Sequence, residues 1–270
     1  MIKLNEINTS NYVSKSKLPA SDYVINPYVG CTHKCIYCYA EFMKRFTGHT
    51  EEWGDFIDVK RCNKPVFIKP NNTVFISSVT DAYNPFERKF RVTEMILKQL
   101  VTSHANIEIL TKSSLVTRDI ELFKQIPNIR VGISVNSLDD TFRKQTEPFA
   151  SSVSERINAL KILHEEGIKT YLFMSPIFPE ITNFEEILYR TKDFVDSFYF
   201  ENLNLRAGYL NRVLSYIENQ HPHLIDLYND IYKNKNILYW EKLSDSINSF
   251  CKLNNLTYGM YFHHGEMKTR

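Results

Sequence analysis

The amino-acid sequence predicts an α/β fold: a partial, open (β/α)6 barrel of the TIM-like kind, followed by a helical C-terminal extension. Three observations carry that expectation. Short apolar and β-branched runs alternate with segments whose apolar residues recur at helical spacing, and the short connections make each return crossover a helix and the sheet parallel. About six such units can be counted, fewer than the eight that close a barrel. From Tyr209 onward the apolar positions, among them Val213-Leu214-Ile217, Leu224-Ile225-Leu227 and Leu238-Leu243-Ile247, follow helical spacing alone.

Taken in order, residues 1–21 form a polar N-terminal extension expected to be irregular, 22–205 the barrel, and 206–270 the helical extension packed on one barrel edge. Tyr23-Val24-Ile25 is a short strand that leads into a cysteine-rich loop. A helix is expected over about 36–46, stopped by Gly48 and the Trp53-Gly54-Asp55 turn, and 55–70 reads as an irregular crossover. Val74-Phe75-Ile76-Ser77-Ser78-Val79 has the form of a buried strand. Asn84 as N-cap and Pro85 at the first helical position then start a helix running through Met95-Ile96-Leu97. Further strands fall at Ile107-Glu108-Ile109-Leu110, at Arg130-Val131-Gly132-Ile133-Ser134-Val135, over 168–174 and at Phe198-Tyr199-Phe200. Between them, Ile120, Leu122, Phe123 and Ile126 stripe one helix. Ser152-Val153-Ser154-Glu155 is a capping box for a second that ends at Gly167, and Asn183 caps a third.

Composition bounds the function only loosely. With 270 residues, 43% hydrophobic and 24% charged, the chain is long enough to bury a substantial core, and its formal charge of +2 gives no case for a polyanion partner. Lys60-Arg61, Arg88-Lys89-Phe90-Arg91 and Arg143-Lys144 read as solvated faces that admit, without requiring, contact with nucleic acid. No segment has the apolar length of a signal peptide or of a membrane span, so a cytoplasmic protein without a membrane partner is expected. Five cysteines, three of them clustered, suit a ligand set better than a disulfide framework; Cys62 and Cys251 are read as buried or partly exposed thiols.

The chemistry centres on Cys31, Cys35 and Cys38, set in Asn26-Pro27-Tyr28-Val29-Gly30-Cys31-Thr32-His33-Lys34-Cys35-Ile36-Tyr37-Cys38-Tyr39-Ala40. Three thiolates are an incomplete set for tetrahedral zinc or for a fully ligated iron–sulfur cluster. On a four-iron cluster they leave one iron open to a ligand that is not protein. In parallel β/α architectures catalytic groups gather at the C-terminal ends of the strands, which here carry Asp81, Lys112, Ser134 and Asn136. A cation, a hydroxyl, an amide and a carboxylate are the types that would hold a charged small-molecule cofactor.

The cysteine spacing resembles that of radical S-adenosylmethionine (radical SAM) enzymes, and the Asn-Pro-Tyr lead-in with the Tyr-Cys-Tyr-Ala exit is similar to the spore photoproduct lyase-like branch. The similarity continues in Val79-Thr80-Asp81-Ala82-Tyr83-Asn84-Pro85-Phe86-Glu87, Leu110-Thr111-Lys112, Thr117-Arg118-Asp119, Ser134-Val135-Asn136-Ser137, Glu147-Pro148, Arg156 and Pro176-Ile177, spanning about 22–180. The resemblance implies a four-iron four-sulfur (4Fe-4S) cluster on Cys31, Cys35 and Cys38, with S-adenosyl-L-methionine chelating the open iron. It implies cofactor contacts from Lys112, Ser134 and Asn136, with Tyr37 on the adenine side. It also implies reductive cleavage of S-adenosylmethionine to methionine and a 5'-deoxyadenosyl radical that abstracts hydrogen from a substrate. A one-electron reductant such as flavodoxin or ferredoxin is the implied partner.

Tyr37 and Tyr39 flank Cys38 and are the candidate catalytic residues for relaying a hydrogen atom. The sequence departs from the lyase itself, which carries a donor cysteine where this chain reads Ser77-Ser78-Val79-Thr80, so repair of the spore thymine dimer is not expected. The substrate stays open between a nucleic acid, in lesion-repair-like chemistry, and a peptide or small molecule. A non-catalytic iron–sulfur or zinc protein is the alternative of another class. His263 and His264 near the C-terminus diverge in an extended segment and are not read as a second metal site.

Overall fold

The computed structural model describes residues 2–18 and 20–262, so His263 and His264 lie outside the described residues. The strands are β1 (Lys3–Asn8), β2 (Val13–Lys15), β3 (Tyr23–Ile25), β4 (Tyr28–Val29), β5 (Phe56–Arg61), β6 (Thr73–Ile76), β7 (Asn106–Thr111), β8 (Ile129–Ser134), β9 (Lys169–Ile177), β10 (Ser197–Asn202) and β11 (Tyr258–Tyr261). The helices are α1 (Glu87–Phe90), α2 (Val92–Leu100), α3 (Ile120–Phe123), α4 (Asp140–Thr146), α5 (Val153–Glu165), α6 (Phe184–Thr191), α7 (Ala207–Gln220), α8 (Ile225–Tyr232) and α9 (Leu238–Leu253).

One sheet runs β2-β3-β6-β7-β8-β9-β10-β11, and every pairing from β3 to β11 is parallel. β2 joins its edge antiparallel to β3. Among the described residues no pairing joins β2 to β11, so the curved sheet stays an open, partial barrel. On β7 and β10 fully buried residues alternate with partly exposed ones. The helices cover the buried face, where Ile107, Ile109, Val131, Ile133 and Leu172 meet Leu160, Leu163, Ile187 and Leu188. Each such side chain contributes about 1.5–3 kcal/mol by leaving water.

The partly exposed positions line the concave lumen. Its floor is closed by Tyr171, which lies across Gly132 and donates its hydroxyl to Ile109 O at 2.8 Å, reaching past β8 to β7. A Cβ at Gly132 would stand 2.1 Å from that ring. Arg130 stacks on Tyr171 at 5.1 Å and on Tyr199 at 5.4 Å, and pairs with Glu108 at 2.7 Å.

Several local expectations need correction. The irregular N-terminus contains β1 and β2, and the crossover over 55–70 contains β5. β5 pairs parallel with β1, from Lys3↔Phe56 to Asn8↔Arg61, and antiparallel with β4, making a separate small sheet. Asp58 hides this strand from a pattern reading, because its buried carboxylate accepts from Asn5 Nδ2 at 3.0 Å and meets His49 Nε2 at 2.9 Å. The helix expected over 36–46 is a 3-10 helix, Tyr39–Phe46. The one expected from Asn84 starts at Glu87, Asn84 lying in the turn before it, and is broken into α1 and α2 by Arg91 in the left-handed region, φ 50°. The helical extension also returns a strand, since β11 adds a seventh parallel member beside β10. The capping box at Ser152–Glu155 and the Asn183 cap stand as read.

Candidate functional site

The cysteine loop is fixed at both ends and in its middle by the chain's own groups. Asn26, just past β3, donates to Ser78 Oγ at 2.9 Å and accepts from Val79 N at 3.0 Å, which ties the loop to the end of β6. Gly30 has φ +88°, a conformation open to glycine, and a Cβ there would sit 2.5 Å from Phe56 O. Its carbonyl accepts from Thr80 Oγ1 at 2.6 Å. Further on, Ile36 N donates to Thr146 O at 3.0 Å and Phe149 N to His33 O at 3.4 Å, so the segment after α4 closes over the loop.

Cys31, Cys35 and Cys38 are each partly exposed as residues and carry no disulfide. Burial pushes all three thiols up. Asp81 and the other two cysteines add to this at Cys31, whereas at Cys35 the push from Glu147 is partly offset by Lys112. Cys62 and Cys251 stand apart, the former accepting from Lys64 N at 3.4 Å and the latter buried in the main core.

Asp81 is engaged on both oxygens. Oδ1 accepts from Thr111 Oγ1 at 2.6 Å and Tyr83 N at 2.8 Å, while Oδ2 accepts from Lys112 N at 2.8 Å and lies 3.3 Å from His33 Nδ1. Burial alone would raise this carboxyl, but His33, Thr111 and the Lys112 amide outweigh it and hold it at about 2. The carboxylate thus binds three stretches of chain: the cysteine loop, the β6 end and the β7 end.

A second brace runs through Tyr37. Its hydroxyl donates to Glu147, whose other oxygen pairs with Arg156 Nη2. Arg156 also donates through Nη1 to Ser134 O at 3.1 Å and through Nε to Ser151 O at 2.9 Å. Glu147 and Arg156 are 0% and 1% exposed, so this is a buried ion pair reaching from the cysteine loop to the end of β8.

Around these braces the strand-end residues converge. Lys112 Nζ stands 5.8 Å from the Tyr37 ring centre and, among the described residues, makes no salt bridge or hydrogen bond. Asn136 Nδ2 lies 3.5 Å from Tyr37 Oη, and Ser134 is buried beside it. Tyr39 is 55% exposed and donates to Ser78 O, so the hydroxyls of Tyr37 and Tyr39 go to different partners. Ser175 donates to Glu201 across the ends of β9 and β10.

Sequence reasoning did not single out His33, Glu147, Arg156 or Trp53 as site residues. Glu147 and Arg156 fall within the similar segments, but nothing in linear spacing shows that they form one fully buried pair. Two buried polar atoms have no hydrogen-bond partner, Thr32 Oγ1 within the cysteine loop and Trp53 Nε1 in the apolar cluster that Cys31 and Cys38 pack against. Among the described residues, no set of three His, Cys, Asp or Glu side chains closes round a single ion. Three thiols on one loop with unpaired donors beside them fit a cluster, which spreads its ligands over separate irons and accepts hydrogen bonds on its sulfurs.

Comparison with known proteins bears on the whole arrangement. The family model described as the radical SAM superfamily matches residues 25–190. An uncharacterized protein of Methanocaldococcus jannaschii is 41% identical, over 82% of this chain and 85% of that one. Among solved structures, a mutant of spore photoproduct lyase with a dinucleoside spore photoproduct superposes with a TM-score of 0.60 at 18% identity, covering 81% of this chain and 66% of its own. SuiB of Streptococcus suis bound to S-adenosylmethionine gives 0.56 at 14% identity, covering 96% and 51%. These two likenesses are of fold, and this chain spans only part of the length of each. Among the described residues no helix is long and apolar enough to cross a membrane.

Proposed function

Because this chain belongs to the radical SAM superfamily, we propose that it is a radical enzyme in which Cys31, Cys35 and Cys38 hold a 4Fe-4S cluster and the strand-end residues hold S-adenosylmethionine. One observation carries the reading. The three cysteines share a braced loop at the C-terminal ends of the parallel strands, beside a lysine whose ammonium makes no ion pair within the described chain. When bound, the cluster and S-adenosylmethionine supply a 5'-deoxyadenosyl radical by one-electron cleavage of a carbon–sulfur bond. The electron comes from a one-electron donor such as flavodoxin or ferredoxin.

The chain's own residues bind, orient and enclose. Lys112 is the cation for the cofactor carboxylate, and Glu147 with Cys35 favours its charged form against the penalty of burial. Ser134 and Asn136 offer a hydroxyl and an amide at the β8 end, with Tyr37 as an aromatic wall. Asp81, read from sequence as a cofactor contact, acts instead as a positioning residue: its oxygens hold His33, Thr111 and the Lys112 backbone, and so set where Lys112 begins. Tyr37 is held by Glu147, which suits a wall better than a hydrogen relay; Tyr39, more exposed, is the better candidate for a late hydrogen transfer.

The lumen below is the substrate chamber. Phe173, Tyr199 and Tyr261 line it with ring centres 6.0–6.4 Å apart, and Arg130 stacks on Tyr199. Stacking faces with a cation suit a nucleobase, which supports a lesion-repair-like reaction on nucleic acid over one on a peptide or small molecule. No thiol stands at 77–80, so the product radical must be quenched by another group than the lyase's.

Anaerobic reconstitution with iron and sulfide, then dithionite and S-adenosylmethionine, tests the proposal by chromatography of 5'-deoxyadenosine. Wild-type protein should form it. Cys35→Ala should form neither cluster nor 5'-deoxyadenosine, and Lys112→Ala should keep the cluster absorption while binding S-adenosylmethionine at least about tenfold more weakly. A stable cluster with no cofactor cleavage would identify a non-catalytic iron–sulfur protein.

A further inference from the structure

Trp53 is 9% exposed, and its Nε1 is buried with no hydrogen-bond partner among the described residues. A buried indole N–H normally has an acceptor, because without one it has given up its bonds to water for nothing. The residue belongs with Ala40 and Phe56 to a small apolar cluster separate from the main core, and the hydrophobic side chains packed on that cluster include Cys31 and Cys38. Beside Cys38 its indole N–H works against the effect of burial on that thiol. A thiol sulfur is a poor acceptor, so an indole N–H packed in the same cluster stays unsatisfied. A thiolate bound to iron is a better one.

The loop carrying Trp53 is built onto the cysteine loop. Gly54 has φ +102°, and a Cβ there would lie 2.7 Å from Lys34 Cγ and 3.1 Å from Lys34 Cα, so only a residue without a side chain lets the two loops touch. Lys34 Nζ then clamps Asp55 at 2.7 and 2.8 Å, one residue beyond the contact. Phe56, whose carbonyl packs against Gly30, completes the seam, and its ring stands 5.6 Å from that of Trp53 at an interplanar angle of 86°. The indole is therefore held before any metal arrives.

We propose that Trp53 donates its indole N–H to the sulfur of Cys38 when that sulfur is a cluster thiolate, and thereby raises the reduction potential of the cluster. The inference rests on the reading of Cys31, Cys35 and Cys38 as cluster ligands. Hydrogen bonds to the sulfurs are among the determinants of the potential, since they stabilise the more negative, reduced state. Trp53 is a positioning residue here, acting through Cys38 and not on the substrate.

The test uses the reconstituted full chain. Wild-type protein and Trp53→Phe, which keeps an aromatic ring and removes the donor, are titrated potentiometrically with the EPR signal of the reduced cluster as readout. At the wild-type midpoint the ratio of reduced to oxidised cluster should fall about tenfold in the variant, equivalent to about 59 mV for a one-electron couple. In a second arm, a Trp240→Phe protein labelled with 15N-indole tryptophan should show a 15N coupling by ENDOR, and this arm holds even if Trp53→Phe does not fold. Equal potentials together with no 15N coupling in a cluster-bearing protein overturn this inference alone. A wild-type chain that takes up no cluster overturns the reading of the cysteine loop, and this inference with it.

Discussion

Arg156→Met removes a cation of nearly full burial and keeps an unbranched apolar stem in its place. Arg156 is 1% exposed and holds three acceptors: Glu147, Ser134 O at 3.1 Å and Ser151 O at 2.9 Å. Breaking a buried ion pair by deleting one partner costs about 3–5 kcal/mol, because the other charge stays desolvated. Each carbonyl left without a donor adds about 1 kcal/mol unless water reaches it. Protonation of Glu147 limits the total, so about 4 kcal/mol at neutral pH is expected. Guanidinium denaturation followed by circular dichroism measures it as a shift in midpoint at constant slope.

The pH dependence has a definite sign. Burial acts to raise the Glu147 carboxyl, but Arg156 and Lys112 hold it below its ordinary 4.5, so its contribution is present above that value and lost as pH falls further. In Arg156→Met the same carboxyl titrates upward, and the deficit against wild type should shrink on acidification from pH 7. Glu147→Gln combined with Arg156→Met should cost less than the sum of the two single changes, since they share one interaction. A deficit below about 1 kcal/mol, or strict additivity, would refute the claim that this pair braces the loop.

Two further perturbations address other parts of the architecture. Gly30→Ala places a side chain at φ +88° and against Phe56 O, which should cost about 1–3 kcal/mol and lower iron uptake in reconstitution; unchanged uptake and melting temperature would count against the Gly30–Phe56 seam. Glu94, in the first turn of α2, is held at about 2 by hydrogen bonds from Arg91 and Lys98. Its ordinary value is 4.5, so its contribution exists above that pH and disappears as pH falls toward 2. Glu94→Gln should therefore destabilise by about 1 kcal/mol at pH 7 and by progressively less in urea titrations below pH 4.5.

Much of the site was legible in the chain because its logic is local. The spacing of Cys31, Cys35 and Cys38 depends on one loop, and Lys112, Ser134 and Asn136 follow runs whose β-character is plain in sequence. What was not legible depends on partners distant in sequence. Asp81 offers a carboxylate at a strand end, and only the folded chain shows its oxygens already held by Thr111, Tyr83, Lys112 and His33. β5 escaped for a similar reason, since Asp58 looks like a break in an apolar run until Asn5 and His49 are placed beside it. Arg91 interrupts what reads as one helix because the side chain of Glu87 accepts from Thr93 N and Glu94 N, capping α2 from the preceding turn. Trp53 carried no signal beyond being a turn aromatic; its meaning comes from a glycine contact with Lys34 that no periodicity reports.

Under the proposed function, Cys31, Cys35 and Cys38 leave one iron of a cluster open to S-adenosylmethionine beside Lys112. Mössbauer spectroscopy of 57Fe-reconstituted protein, with and without S-adenosylmethionine, addresses it most directly. The expected result is a 4Fe-4S spectrum in which one iron site alone shifts on adding the cofactor, with a clearly smaller shifted fraction in Lys112→Ala at the same subsaturating cofactor concentration. A single zinc or iron ion bound by the three thiolates, or a cluster whose irons all ignore the cofactor, would contradict it.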